Sequence, residues 1–315
     1  MSRSKAYIPH GVIPACLLPF QDDFSIDVKS FTSHLHDVAA VSGITAITVN
    51  GHASEVASCT FEEQRDILSI ATGEIGARLP LIAGVFAEGS LEAARLARMS
   101  QDVGASALLV FPPAVFTLGQ RPEMVLTHFR HIADASDLPL IAFQYPLAGG
   151  QGYSMATLSA LLDAVPTIRA VKDWTPQMPL HERHINELQA RNVNLLSTNS
   201  AALMSSLVLG CAGLLSGAGS VIADLQVQLF QALQNSDLGV ARRTYSLIRP
   251  VAEAFYANPV VDMHNRMKEA LVILGRLPNA TVRPPLVKLD AAEIDNIGKA
   301  LSQAGLLNGG VGAVA

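Results

Sequence analysis

The chain is 315 residues long, half of them hydrophobic, and carries a formal net charge of −5. That size buries a large core and suits either two average domains or one α/β barrel, while mild acidity and scattered arginines exclude an electrostatic footprint for nucleic acid. No apolar run reaches the roughly 18–20 residues of a membrane span, and the opening "MSRSKAYIPHG" is too short and polar for a signal peptide, so a cytoplasmic protein is expected.

In chain order, eight short apolar runs recur: "GVIPACLLP" (11–19), "ITAITVN" (44–50), "PLIAGV" (80–85), "SALLVFP" (106–112), "PLIAFQYP" (139–146), "TIRAVK" (167–172), "VNLLS" (193–197) and "AGLLSG" (212–217). Amphipathic segments such as "FEEQRDILSIATGEIG" and "LEAARLARMSQDVG" separate them, each closed by a glycine that stops a helix. Near-continuous apolar strands alternating with helices imply a parallel sheet covered on both faces. Eight such units in about 210 residues predict a (β/α)₈ TIM barrel over residues 1–220. No GxGxxG or GxxxxGK[ST] occurs, and in "GCAGLLSGAGS" the first glycines precede the strand, so no nucleotide loop is read there. Beyond residue 221 the pattern is helical, which predicts a C-terminal helical region over 221–306; "NGGVGAVA" suggests a disordered tail at 307–315. Cys16, Cys59 and Cys211 lack CxxC spacing and read as small core residues, not as a zinc site.

The run "TIRAVKDWTP" ends its strand on a lysine. Functional groups of a parallel barrel gather at the carboxyl ends of the strands, and a buried, unpartnered ammonium shifts toward the neutral amine. A neutral amine adds to a ketone and forms an imine, an electron sink that lets a neighbouring C–C or C–O bond break. The competing reading pairs Lys172 with Asp173 or with an acid across the barrel.

With the strands laid out, the chain resembles the dihydrodipicolinate synthase/N-acetylneuraminate lyase family of class I Schiff-base lyases from about residue 10 to residue 305. "GVIPACLLPFQDDFSID" is similar to the family's opening "TPF…D…ID". "VNGHASEVASCTFEEQRDIL" resembles its "G-x-x-G-E…L-x-x-E-E-R", and "RAVKDWT" resembles the strand of the Schiff-base lysine. "RMKEALVILGRLPNATVRPPL" resembles "VK-x-A-L-x-x-x-G…R-P-P-L". The resemblance implies that Lys172 forms the imine, that no metal or organic cofactor is needed, and that the chain assembles as a homo-oligomer, a tetramer or dimer. It also implies a small-molecule 2-keto acid as substrate, its carboxylate bound by the loop Gly51, His52, Ala53 and Ser54, with Thr198, Leu215 and Ser216 lining the site. Glu55 matches the family's glutamate and reads as structural.

The family's proton-shuttling tyrosine in "Y-N-x-P" falls on Phe143 of "FQYP", which cannot move a proton. Three substitutes are open: Tyr145, two residues on and so on the same strand face, His52, an imidazole where the family has a hydroxyl residue, and water or the substrate itself. The arginine that holds a second carboxylate in dihydrodipicolinate synthase corresponds to Ala148, and the paired aromatics after the fourth strand correspond to Pro113 and Ala114. These losses disfavour dihydrodipicolinate synthase itself. A Schiff-base aldolase or dehydratase is therefore expected, with a non-catalytic keto-acid-binding or sugar-acid-binding barrel as the alternative. In "LHERHINEL" the residues His181 and His184 lack HExxH spacing and read as a solvated helical face. Trp174 reads equally as pocket wall or loop packing, and Asp262, Asn265 and Arg266 as a polar face.

Overall fold

All eight apolar runs fold as strands, because each is buried on both sides and rich in branched side chains. They are β1 (Gly11–Pro14), β2 (Ile47–Val49), β3 (Leu81–Val85), β4 (Ala107–Val110), β5 (Leu140–Gln144), β6 (Ile168–Asp173), β7 (Asn194–Ser197) and β8 (Gly213–Ser216). Between and after them run α1 (Val28–Ala39), α2 (Phe61–Ile75), α3 (Ser90–Val103), α4 (Pro122–Ala135), α5 (Met155–Ala164), α6 (Met178–Gln189), α7 (Leu203–Val208), α8 (Gly219–Gln234), α9 (Leu238–Phe255), α10 (Met263–Ile273) and α11 (Ala291–Gln303). The computed structural model describes residues 7–307, so the segment read as a tail lies, Leu307 apart, outside the described residues.

Neighbouring strands pair in parallel around the sheet, β1 against β8 and β2 against β3 at its two ends. The ring closes through single bridges, Val12 to Ile44 and Ala15 to Thr48, carried by hydrogen bonds from Thr45 N to Val12 O (2.9 Å) and Cys16 N to Thr48 O (2.9 Å). The helices begin where their caps dictate. Thr60 and Glu63 form a reciprocal capping box on α2, and Asp27 accepts from Ser30 N at the start of α1.

The helical stretch starts at Gly219, two residues before the sequence pattern suggests. Its first member, α8, packs on β1 and β8 as the barrel's eighth helix, while α9, α10 and α11 pack on one another beside it. Asn265 and Arg266 do not form a polar face. Both are buried: Asn265 Nδ2 donates to Val287 O (2.7 Å), and the Arg266 guanidinium donates to Ala257 O (2.7 Å) and Glu293 Oε1 (3.0 Å). They supply donors for backbone carbonyls of the segments before and after α10 that pack on them. Among the described residues, no helix is long and apolar enough to cross a membrane.

Candidate active site

Strand alternation separates Lys172 from Asp173. The Asp173 carboxylate turns outward, is fully buried, and accepts from Thr175 N (2.7 Å), His181 Nδ1 (3.0 Å) and His184 Nδ1 (2.8 Å). Burial alone would push this acid up, but the hydrogen bonds and positive character of the two imidazoles outweigh it and hold the carboxyl well below its usual range. His181 and His184 are therefore not a solvated face. Three residues apart on α6, they share the side that packs on β6, where a buried carboxylate must be satisfied.

Lys172 is consequently not paired with its neighbour. Its side of the strand faces the barrel mouth, it is only 6% exposed, and Nζ lies 4.0 Å above the centre of the Phe143 ring. Phe143 is its register partner on β5. Burial lowers the amine to about 7, with no carboxylate opposing the shift.

Around Phe143 stands an aromatic cluster. Phe111 is 5.4 Å from it and Tyr145 4.5 Å, centre to centre, with Trp174 5.8 Å beyond Tyr145. The strand ends at Gln144, yet the Tyr145 side chain still reaches the mouth, where its hydroxyl meets His52 Nε2 at 2.7 Å. Burial raises the Tyr145 phenol, and burial together with the nearby Lys172 charge lowers His52 to about 3. A protonated phenol beside a neutral imidazole donates its O–H to Nε2, so the ring proton of His52 sits on Nδ1.

The loop bearing His52 is held from three sides. Left-handed residues Asn50 (φ 55°) and Glu55 (φ 50°) flank a 3₁₀ turn at His52–Ser54. Gly84 of β3 lets it approach, since a Cβ there would lie 1.8 Å from Asn50 O. Ser54 is buried, and its hydroxyl donates to Cys16 O (2.9 Å), so it fastens the loop to the end of β1 and does not line the cavity. The backbone N–H groups of His52 and Ala53 have no acceptor among the described residues. Finally, Glu55 accepts from the buried Lys268 ammonium of α10 and from Arg283 N (3.0 Å). The Arg283 guanidinium also binds Glu63 Oε2 (2.8 Å) and Ser58 O (2.8 Å).

These elements surround a narrow cavity at the barrel mouth. Gly51, His52, Ala53, Phe143, Lys172, Thr198 and Trp174 line it. Leu215 and Ser216 are buried in β8 outside the lining, and the position at the mouth is taken by Gly217, the first residue past the strand. Ala148 is exposed, away from the lysine. His264, at the start of α10, is the functional candidate that sequence reasoning missed. It is buried beside His52 (6.4 Å between ring centres), and a Cβ on Gly217 would come within 2.9 Å of its Nε2. Burial, then the charges of His52, Lys172 and Lys268, hold its imidazole well below the usual histidine range. No local pattern marks it, because it enters the mouth from a helix more than 40 residues past the last strand. Chemically, the arrangement offers an amine that is neutral near pH 7, a phenol–imidazole pair to move a proton, and two free N–H groups for an anion.

The chain is 28% identical over 295 residues to a 4-hydroxy-tetrahydrodipicolinate synthase of Methanoculleus marisnigri, covering 92% of this chain and 98% of the relative. It is also 28% identical over 300 residues to an uncharacterized DapA-like lyase of Halobacterium salinarum, covering 95% of each. Among solved structures, YagE, an E. coli K12 prophage protein crystallised with pyruvate, superposes with a TM-score of 0.88 at 22% identity over 94% of this chain and 99% of its own. The dihydrodipicolinate synthase of Thermotoga maritima superposes with a TM-score of 0.87 at 21% identity, covering 96% and 100%. The profile of the Dihydrodipicolinate synthetase family matches residues 8–304, so this chain belongs to that family.

Proposed function

We propose that this protein is a Schiff-base-forming lyase that cleaves or dehydrates a 2-keto acid through Lys172. The observation that carries the reading is the lysine itself: buried, unpaired by Asp173, and held over Phe143 with its amine lowered to about 7. A neutral Nζ adds to C2 of the keto acid, and loss of water gives the imine. The protonated imine then accepts the electron pair of the breaking bond, so the chemistry calls for no metal or organic cofactor. In this reading the free N–H groups of His52 and Ala53 bind the substrate carboxylate. His52 and Tyr145 together replace the missing tyrosine at position 143, the phenol and imidazole passing one proton between substrate and hydrogen bond. The bound pyruvate of YagE supports the keto-acid class.

Dihydrodipicolinate synthase activity is not the reading this site favours, because neither the relay residue nor the second-carboxylate arginine is present. A cytoplasmic homo-oligomer belongs to the same proposal; light scattering that returns the mass of a single chain would remove the oligomer. The test of the chemistry is intact-protein mass spectrometry after borohydride reduction with pyruvate. A reduced adduct on the wild type, absent from Lys172→Ala, is expected. No adduct, with pyruvate binding that survives in the variant, would overturn the proposal in favour of a non-covalent binder.

A further inference from the structure

We infer that the 2-keto acid taken by this site carries an uncharged, apolar remainder, an aryl or branched alkyl group, and not a polyol chain or a second carboxylate. The inference rests on the Schiff-base reading of Lys172 and extends it to the far end of the substrate. Around the lysine, the side-chain walls are Ala15, Ala53, Leu109, Phe143, Trp174 and Met263. The remaining polar side chains there are uncharged: Thr198, Tyr256 and the two low-pKa imidazoles of His52 and His264. Lys172 is the one charged group, and in the protonated imine its charge stays at C2, engaged with the breaking bond and not with the far end of the substrate.

The space continues in a matching way. A second, wider cavity shares His52, Met263 and His264 with the first and runs under the segment 284–286. Val56, Ala57, Val261, Pro284, Pro285 and Leu286 supply its further apolar walls. Its charged members are already committed. Glu55 is bound to Lys268 and to Arg283 N, and the Arg283 guanidinium to Glu63, Ser58 O and Phe24 O. A carboxylate or a row of hydroxyls entering here would lose water and find no partner, whereas a ring or branched chain exchanges water for carbon. On the opposite side, beyond Trp174, the cation lining the adjoining cavity is Arg249, which is exposed and pairs with Glu253 at 3.6 Å.

For a 4-hydroxy-2-oxo acid the step is balanced. The electron pair of the C3–C4 bond becomes the C2–C3 double bond of an enamine as the imine C=N pair moves to nitrogen, the C4 hydroxyl gives its proton to the His52–Tyr145 pair, and C4 leaves as an aldehyde bearing the apolar group. That proton then returns to C3, and water hydrolyses the imine to release pyruvate.

The test runs in two stages. Borohydride trapping of pyruvate on the wild type but not on Lys172→Ala comes first, since its failure would remove the Schiff-base reading and not this inference alone. Consumption of three keto acids with identical reacting atoms is then followed by chromatography, whichever bond breaks: 4-hydroxy-4-phenyl-2-oxobutanoate, a polyhydroxylated 2-keto-3-deoxy acid and 4-hydroxy-2-oxoglutarate. At least a tenfold higher kcat/KM for the phenyl compound is expected. Met263→Lys, which sets an ammonium where the two cavities join, should shift the ratio at least tenfold toward the dicarboxylate. Equal rates, no consumption of any of the three included, or a preference for a polar compound would overturn the inference. A dicarboxylate advantage that Arg249→Ala abolishes would do the same and direct the remainder past Trp174.

Discussion

Replacing Lys172 by methionine keeps an unbranched side chain one heavy atom shorter and removes its charge, so the substitution reports what the buried amine costs the fold. The amine falls from 10.5 to about 7 on burial, and between those values the folded chain holds fewer protons than the unfolded one. The wild type therefore gains stability as pH rises through that window, while the methionine variant lacks this dependence. Each factor of ten in proton affinity corresponds to about 1.4 kcal/mol. The variant should exceed the wild type by about 5 kcal/mol at pH 6, about 4 at pH 7, about 2 at pH 9 and less than about 0.5 at pH 10.5, plus a packing difference that does not vary with pH. Equilibrium urea denaturation of both proteins at fixed concentration across pH 6–10.5 reads the difference directly. A gap that stays flat over this range would refute the burial argument, because it would mean that Lys172 is as solvated, or as well paired, in the folded state as in the unfolded one.

Tyr145→Phe removes the hydroxyl that meets His52 Nε2. With the fastest keto acid as substrate, kcat should fall by about a hundredfold to ten-thousandfold while borohydride still traps pyruvate on Lys172, and an unchanged kcat would remove the pair from the mechanism. Glu55→Ala strands the buried Lys268 ammonium; urea denaturation should record a loss of about 3–5 kcal/mol, and a loss below about 1 kcal/mol would show that this ion pair does not hold the loop.

The barrel was legible because its strands are buried on both faces, and eight apolar runs alternating with helical segments leave few other folds. Lys172 was legible for the opposite reason, as a charge placed where the pattern allows none. Two-residue periodicity pointed to Tyr145, although the strand stops one residue short and the side chain covers the remaining distance. Non-local burial was not legible. His181, His184, Asn265 and Arg266 sit among charged neighbours on helices and look solvated, and only their tertiary partners, Asp173, Val287 and Glu293, bring them inside. His264 escaped for the same reason, and Leu215 and Ser216 were placed in the lining because a motif counts along the strand whereas the cavity begins past its end. The family resemblance supplied the lysine's chemistry, but it carried no information about which side chain fills the place of an absent one.

The link from Lys268 and Arg283 to the loop of residues 51–58 has a temporal consequence. A ribosome releases the eight strands and the reactive lysine well before it releases the two residues that clamp this loop. On the proposed reading, the emerging polypeptide would then carry its nucleophile while the loop that binds the substrate carboxylate is still unclamped. On the same reading, a keto acid would meet a complete binding loop only once the last helices have docked, so completion of synthesis would gate the chemistry.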